Sequence, residues 1–428
     1  MTNRRLLPIF LTVFIDLLGF GLILPLLPFY AETFGATATV IGLITASYAA
    51  AQLIGAPILG RLSDRYGRKP ILTLSIAGTC LGFVVLGLAN PLGGLIGTAL
   101  GGALSVVFAS RILAGLTGGN ISVAQAYISD VTDERGRTRA LGMIGAAFGL
   151  GFIFGPALDG FLSTWGYDVP SFVAAGLAAV NLVWITLSLP ESLTPERRSA
   201  LAGRSSAAFS PASVWAALNR QHVGPLLSIR FFFGLAFVTF QSIFALYAQA
   251  KLGLSAQSTS FILSYIGVLQ VFVQGVAIGR LTGRFSDGML IVGGIGLMAL
   301  AVVGWALAPS LPVLLGVLAP LALAGGVLNT VLNSALTKSV RPEEIGGTLG
   351  LGASVESLTR VIAPSVGGLL FQDLGYWAPG VFAAIVLVAI LPFAWQQLLV
   401  RDHPAKARPF AGSGFARAAQ PISVEAER

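Results

Sequence analysis

Apolar residues in this chain come in long, nearly unbroken runs, and the short intervals between the runs hold almost all of the charge. A hydrocarbon core about 30 Å thick takes roughly 20 apolar residues to cross as a helix, and a helix satisfies its own backbone where water is absent. Twelve runs have that character: Leu6 to Tyr30, Val40 to Leu59, Ile71 to Leu88, Leu104 to Ile128, Leu141 to Leu162, Ser171 to Leu189, Val223 to Ala248, Thr259 to Leu281, Met289 to Ala308, Leu311 to Leu332, Thr348 to Phe371 and Trp377 to Val400. The Gly-rich stretch Pro91 to Gly102 fits none of them. The pattern predicts an all-α integral membrane protein with twelve transmembrane helices.

Composition narrows the class further. Of 428 residues 55% are hydrophobic and only 10% charged, too little charge to keep a globular domain of this length soluble. Arg4 and Arg5 before the first run resemble the start of a secretory leader, but the run is too long and carries Asp16, Pro25 and Pro28, so it reads as a retained helix. Cys80 is the single cysteine, which excludes a disulfide framework and a cysteine metal site. His222 and His403 lie in polar intervals, and no phosphate-cradling G-x-x-x-x-G-K-S/T run occurs. No catalytic, metal or cofactor constellation is legible, so the expectation is a protein that is not an enzyme.

Basic residues orient the runs, because short loops rich in Lys and Arg stay on the cytoplasmic side. Arg4 and Arg5, Arg61 to Lys69, Arg135 to Arg139, Arg197 to Arg220, Arg280 and Arg284, Lys338 and Arg341, and Arg401 onward all fall on one side, with Lys251 alone on the other. Twelve crossings then place both termini in the cytoplasm, in the inner (plasma) membrane. The net charge of +8 follows from this topology and calls for no nucleic-acid partner. A basic surface of this kind also meets anionic membrane lipid.

The longest polar interval, Pro190 to Gly224, splits the runs into two sets of six. The sets echo each other: Gly60-Arg61-Leu62 with Arg65-Tyr66 matches Gly279-Arg280-Leu281 with Arg284-Phe285, and Pro156 to Gly160 matches Pro364 to Gly368. The expected organisation is residues 1–189 as a first six-helix bundle, 190–222 as a linker with an amphipathic helix near Pro211 to Leu218, 223–400 as a second bundle, and 401–428 as a basic tail.

The polar interval Gly60-Arg61-Leu62-Ser63-Asp64-Arg65-Tyr66-Gly67-Arg68-Lys69 fills every fixed position of G-x-L-x-D-R-x-G-R-K/R, and in this it resembles the loop between helices two and three of the major facilitator superfamily. The resemblance implies two pseudo-symmetric six-helix bundles that rock about a central site, giving alternating access. Gly142, Gly151, Gly155 and Pro156 in helix five are similar to the motif of drug:proton antiporters, where close glycines let another helix approach and the proline permits a kink. With Asp16 to Pro28 and Arg111 to Gly119, the chain resembles the tetracycline-exporter-like branch of that group. It departs from that branch in having no carboxylate within Ile71 to Leu88 or Met289 to Ala308. It also places Asp159 where the motif has glycine and where the internal repeat has Gly367; the readings are a proton site, a charge at the outer mouth or an oddity of this sequence, and the expectation is the mouth, within reach of water.

Asp16 and Arg111 are the expected proton-coupling pair. Asp16 lies roughly 14 Å along its helix from the cytoplasmic end, where an ionised carboxylate costs around 2.5 to 3.5 kcal/mol. A carboxyl that alternately faces a guanidinium and an apolar pocket takes up and releases a proton; the alternatives are a fixed structural pair and a carboxylate bonded to backbone groups of a neighbouring helix. From Arg111 a polar stripe of Gly115, Gly118, Ser122, Gln125 and Ser129 is expected to face the cavity, with Asn120 on the opposite, packing side. The resemblance implies a cytoplasmic gate of Gly60, Asp64, Arg65, Gly67, Arg68 and Arg135, with Asp64 capping a helix start in the other bundle. Gln125, Gln241, Gln270, Gln274, Asn329, Asn333 and an ion pair of Glu356 with Arg360 complete the expected substrate cavity. Aromatics such as Phe20, Phe29, Phe231, Phe232, Phe233, Phe237 and Phe240 either line an amphiphile pocket or fill helix contacts. The expected function is a monomeric, proton-coupled antiporter that exports small amphiphilic compounds. The alternatives are a proton-independent facilitator or symporter for a polar metabolite, and a flippase for lipid-linked substrates.

Overall fold

The computed structural model describes residues 3–97, 101–132, 134–194, 218–220, 222–341 and 344–400. Among these residues all regular structure is helical: α1 (Asn3–Glu32), α2 (Ala38–Tyr66), α3 (Arg68–Gly87), α4 (Ala89–Ile96), α5 (Gly102–Thr117), α6 (Asn120–Val131), α7 (Glu134–Leu162), α8 (Val169–Ser188), α9 (Val223–Leu252), α10 (Ala256–Phe272), α11 (Ile278–Arg284), α12 (Asp287–Leu307), α13 (Leu311–Lys338), α14 (Ile345–Leu374) and α15 (Ala378–Trp395). A π-helical turn, Val273–Ala277, carries α10 into α11 as one span. Among the described residues eleven spans are long and apolar enough to cross a membrane. The twelfth, α14, matches them with 30 residues, and Glu356, Arg360 and its glycines dilute its apolar character.

Local signals explain the boundaries. Thr37, Ser255 and Ser286 cap the starts of α2, α10 and α12 by accepting from the amides of Val40, Ser258 and Met289. The charged interval that reads as a loop is mostly helix, because α2 runs on through Gly60 to Tyr66 and α3 begins at Arg68. One residue, Gly67, makes the whole turn, at φ 107° and ψ 156°, where a side chain would be strained. Pro91 to Gly102 contains the end of α4, a short helix lying so close on α5 that a Cβ at Gly93 would meet the Ala103 backbone. The helix of the linker, Pro211 to Leu218, falls outside the described residues except at its last position, as does the basic tail.

α1 to α8 form one bundle and α9 to α15 the other. They meet along two seams, α2 against α14 and α7 against α10. Each seam is tight at the end away from the basic turns. At one, Gly42 abuts the Pro364 carbonyl and Gly368 the Ala38 carbonyl; at the other, the Phe161 and Phe261 rings stand 5.2 Å apart. At the basic end the seams part. Gly60, Gly142, Gly145, Gly275, Gly279, Gly283, Gly346, Gly347 and Gly350 have nothing within 4 Å of where a Cβ would stand.

Candidate functional site

Between the parted ends lies a cavity of about 500 Å³. Gln52, Pro57, Asp64, Ser122 and Gln125 wall it from the first bundle, and Ala353, Ser354 and Ser357 from the second. Of the polar residues expected here, Gln125 is at the wall. Gln274 is exposed in the π-helical turn and Gln270 packs near Gly325 of α13, so these two glutamines are not at this wall.

Deeper in the first bundle, Asp16 is the fourteenth of the 30 residues of α1. It makes no ion pair with Arg111; its carboxylate interacts instead with the side chain of Asn120. That corrects the assignment of Asn120 to the packing side. The run Leu104 to Ile128 is not one continuous helix: α5 ends at Thr117, a Gly118-Gly119 break follows, and α6 starts at Asn120. The break turns Asn120 toward α1. Of the expected stripe, Gly118, Ser122 and Gln125 wall the cavity, whereas Gly115 lies against the Tyr48 carbonyl and Ala51 of α2 as a close-approach position.

Arg111 is 4% exposed, its guanidinium lies 5.7 Å over the Phe83 ring, and its Nη2 is buried with no hydrogen-bond partner. Tyr48 stands electrostatically between Asp16, Arg111 and Arg360, and so joins charged groups of both bundles. Its hydroxyl accepts from Gln52 Nε2 at 3.3 Å, and Gln52 also donates to the Gly118 carbonyl at 3.0 Å. Tyr48 and Gln52 were not found by sequence reasoning; their spacing of four on α2, which places them on one face, was the available signal.

Glu356 and Arg360 form the expected pair at 2.9 Å, with a third member that the sequence reading missed. Arg230 of α9 donates to Glu356 Oε2 at 2.7 Å, to Asn333 Oδ1 at 2.7 Å and to the Gly352 carbonyl at 3.1 Å. A lone arginine deep in an apolar run was its signal. Phe240 and Phe244 are buried against each other, and Phe240 meets Trp305 edge-on at 5.0 Å, so these rings fill the second bundle. Phe20 is different: its ring lies 5.7 Å from that of Tyr48, beside the charged cluster.

At the Gly67 turn, Asp64 pairs with Arg68 at 2.6 Å and Arg68 with Asp130 at 3.0 Å. The carboxylate that caps a helix start is not Asp64 and does not bridge the bundles. Glu191, just past the end of α8, accepts from the Arg68 and Lys69 amides at 2.9 and 3.1 Å, opening α3 with an anion at its positive end. Arg65 is exposed, its guanidinium 5.4 Å over the neighbouring Tyr66 ring. The Arg135 side chain lies outside the described residues.

In α7, Gly151 and Gly155 let α1 approach, since a Cβ at Gly155 would stand 2.6 Å from the Gly21 carbonyl carbon. Gly142 meets nothing. Asp159 does not reach water: it is 0% exposed, and its Oδ2 accepts from Ser260 Oγ of α10 at 2.6 Å. The closed seam covers the turn of α7 that sequence position alone placed at a mouth. The run expected over Met289 to Ala308 starts two residues earlier, as α12, at Asp287, whose carboxylate meets Lys338 at 2.7 Å.

A family model described as Major Facilitator Superfamily matches residues 9–309 and 226–424. The chain is 30% identical over 420 residues to the tetracycline resistance protein, class H, of Pasteurella multocida, covering 96% of this chain and 98% of that one. It is 29% identical to multidrug resistance protein 2 of Bacillus subtilis (strain 168), covering 90% and 93%. Among solved structures, a bacterial homolog of the human lysosomal transporter Spinster, in an inward-facing and occupied conformation, aligns with a TM-score of 0.75 at 15% identity, covering 94% of this chain and 98% of that one.

Proposed function

This chain belongs to the Major Facilitator Superfamily, and on that premise we propose that it is a proton-coupled antiporter exporting small amphiphilic compounds. Its membrane is the inner (plasma) membrane, with the basic end and both termini in the cytoplasm. Family membership makes it a membrane transporter of small molecules rather than an enzyme. Its likeness to tetracycline and multidrug resistance proteins supports efflux of drug-like substrates.

The observation that carries the coupling is the unclosed pair in the first bundle. Arg111 keeps a buried Nη2 without a partner while Asp16 rests on Asn120. A buried guanidinium with an unmade bond favours gaining a carboxylate, and a carboxylate that leaves it favours a proton. Asp16 therefore has two resting places, one that favours the ionised form and one that tolerates the neutral form. Tyr48 lies within electrostatic range of both residues and of Arg360 in the other bundle, so a change of charge at Asp16 reaches across the interface that must rock. In the parted state seen here, substrate enters from the basic end between Gln125 and Ser357, and the Arg68 cluster forms one lip of that entrance. The monomer contains all of these parts.

The test is reconstitution in liposomes that hold a pH-sensitive dye under an imposed proton gradient, with cationic dyes, tetracycline and sugars as candidate substrates. Drug-induced proton release that is lost in Asp16→Asn is the expected result. Drug movement without proton movement refutes the coupling. Competition by sugars with no pH dependence favours a facilitator for a polar metabolite, a reading supported by the glutamine and serine lining of the cavity.

A further inference from the structure

Asp159 is not needed for the coupling just described, yet it sits where the two bundles must separate. Its carboxyl lies within the α7–α10 seam, one oxygen 2.6 Å from Ser260 Oγ and the other buried with no partner. The groups packed around it offer no charge. α10 presents Ser260, with Phe261 against Gly160 and Ser264 donating to the Ile153 carbonyl at 2.9 Å. α1 meets α7 through Leu17, Gly21 and Leu22. Among the described residues the titratable groups of the adjoining elements are Asp16, Tyr30 and Glu32 of α1, Tyr127 and Asp130 of α6, Tyr265 of α10, and Tyr167 and Asp168 before α8. The side chain that bonds this carboxyl is Ser260.

A carboxylate has about four acceptor sites, and here one donor serves them in a space closed to water. The neutral acid is accommodated, whereas the ionised form lacks both a counter-charge and solvation. Alternating access requires this same seam to open, which brings Asp159 into water. The equivalent position of the second bundle is Gly367, packed on Ile243 and Thr239, so the chemistry exists at one seam only.

We propose that Asp159 is a second proton-binding site, separate from Asp16, which must be protonated for the α7–α10 seam to close. Because the proton arrives from and returns to the same side, it drives no transport. It makes closure of the seam respond to the pH on the side away from the basic end.

The experiment uses the full chain in lipid nanodiscs with Cys80→Ser, a change that keeps a donor to the Ala175 carbonyl, and spin labels at Thr164→Cys and Ser258→Cys on either side of the seam. The interlabel distance distribution is followed from mildly acidic to mildly alkaline pH. The closed-to-open ratio is expected to fall about tenfold per pH unit above the midpoint, the slope of one proton. Asp159→Asn removes this step and leaves the seam shut, while Asp16→Asn retains it, which separates failure of this inference from failure of the coupling reading. Ser260→Ala gives an independent check, since it deletes the one donor to the ionised form in the closed seam and so lowers the closed-to-open ratio reached at alkaline pH. A step unchanged in Asp159→Asn, or the absence of any step in the parent protein, overturns the proposal. Should Asp159→Asn not fold, a fall of unchanged depth in Ser260→Ala overturns it equally.

Discussion

Glu356→Leu provides a sharp energetic test of the second bundle. The substitution leaves Arg230, whose side chain is 9% exposed, with its bonds to Asn333 and the Gly352 carbonyl but no counter-charge. Removing one partner of a buried pair costs about 3 to 5 kcal/mol, because a desolvated charge is left behind. Arg360→Met is different: that side chain is 35% exposed, and Glu356 keeps Arg230. The expected cost is about 0 to 1 kcal/mol, as for a solvated pair. In the double variant Arg230→Met with Glu356→Leu both buried charges disappear, and the loss is smaller than for Glu356→Leu alone. The assay is the unfolding free energy of purified protein from titration with a denaturing detergent, for all variants in one lipid–detergent mixture. Equal losses for Glu356→Leu and Arg360→Met, or a double variant that is simply additive, would refute the claim that Arg230 is the buried member on which the network depends.

Two further outcomes follow from backbone geometry. Gly155→Leu drives a side chain into the Gly21 backbone and is expected to destabilise the first bundle by about 1 to 3 kcal/mol, seen as a lower thermal midpoint and poor recovery, whereas Gly142→Leu, which meets nothing, is tolerated. Gly67→Ala forces φ 107° on a residue with a Cβ at a cost of about 1 to 3 kcal/mol, and a loss of transport greater than that of Arg65→Ala would mark Gly67 as the constrained turn.

The sequence determined the class of this protein outright. Long apolar runs have one solution in hydrocarbon, so the helices, their approximate limits and the clustering of basic charge at one end were all legible, as were the internal echo of the halves and the Glu356–Arg360 spacing on one helix face. Tertiary structure decided which polar groups meet. Arg230 reaches Glu356 across 126 positions, Glu191 caps α3 from beyond five other helices, and Asn120 turns to Asp16 because two glycines interrupt a helix that periodicity treats as straight. It also decided burial: Asp159 is closed off because α10 of the other bundle lies on it, a fact that no position along α7 contains. Periodicity acts within one helix, whereas desolvation and hydrogen bonding of buried charge depend on what a second helix brings, and that is fixed only when the bundles pack.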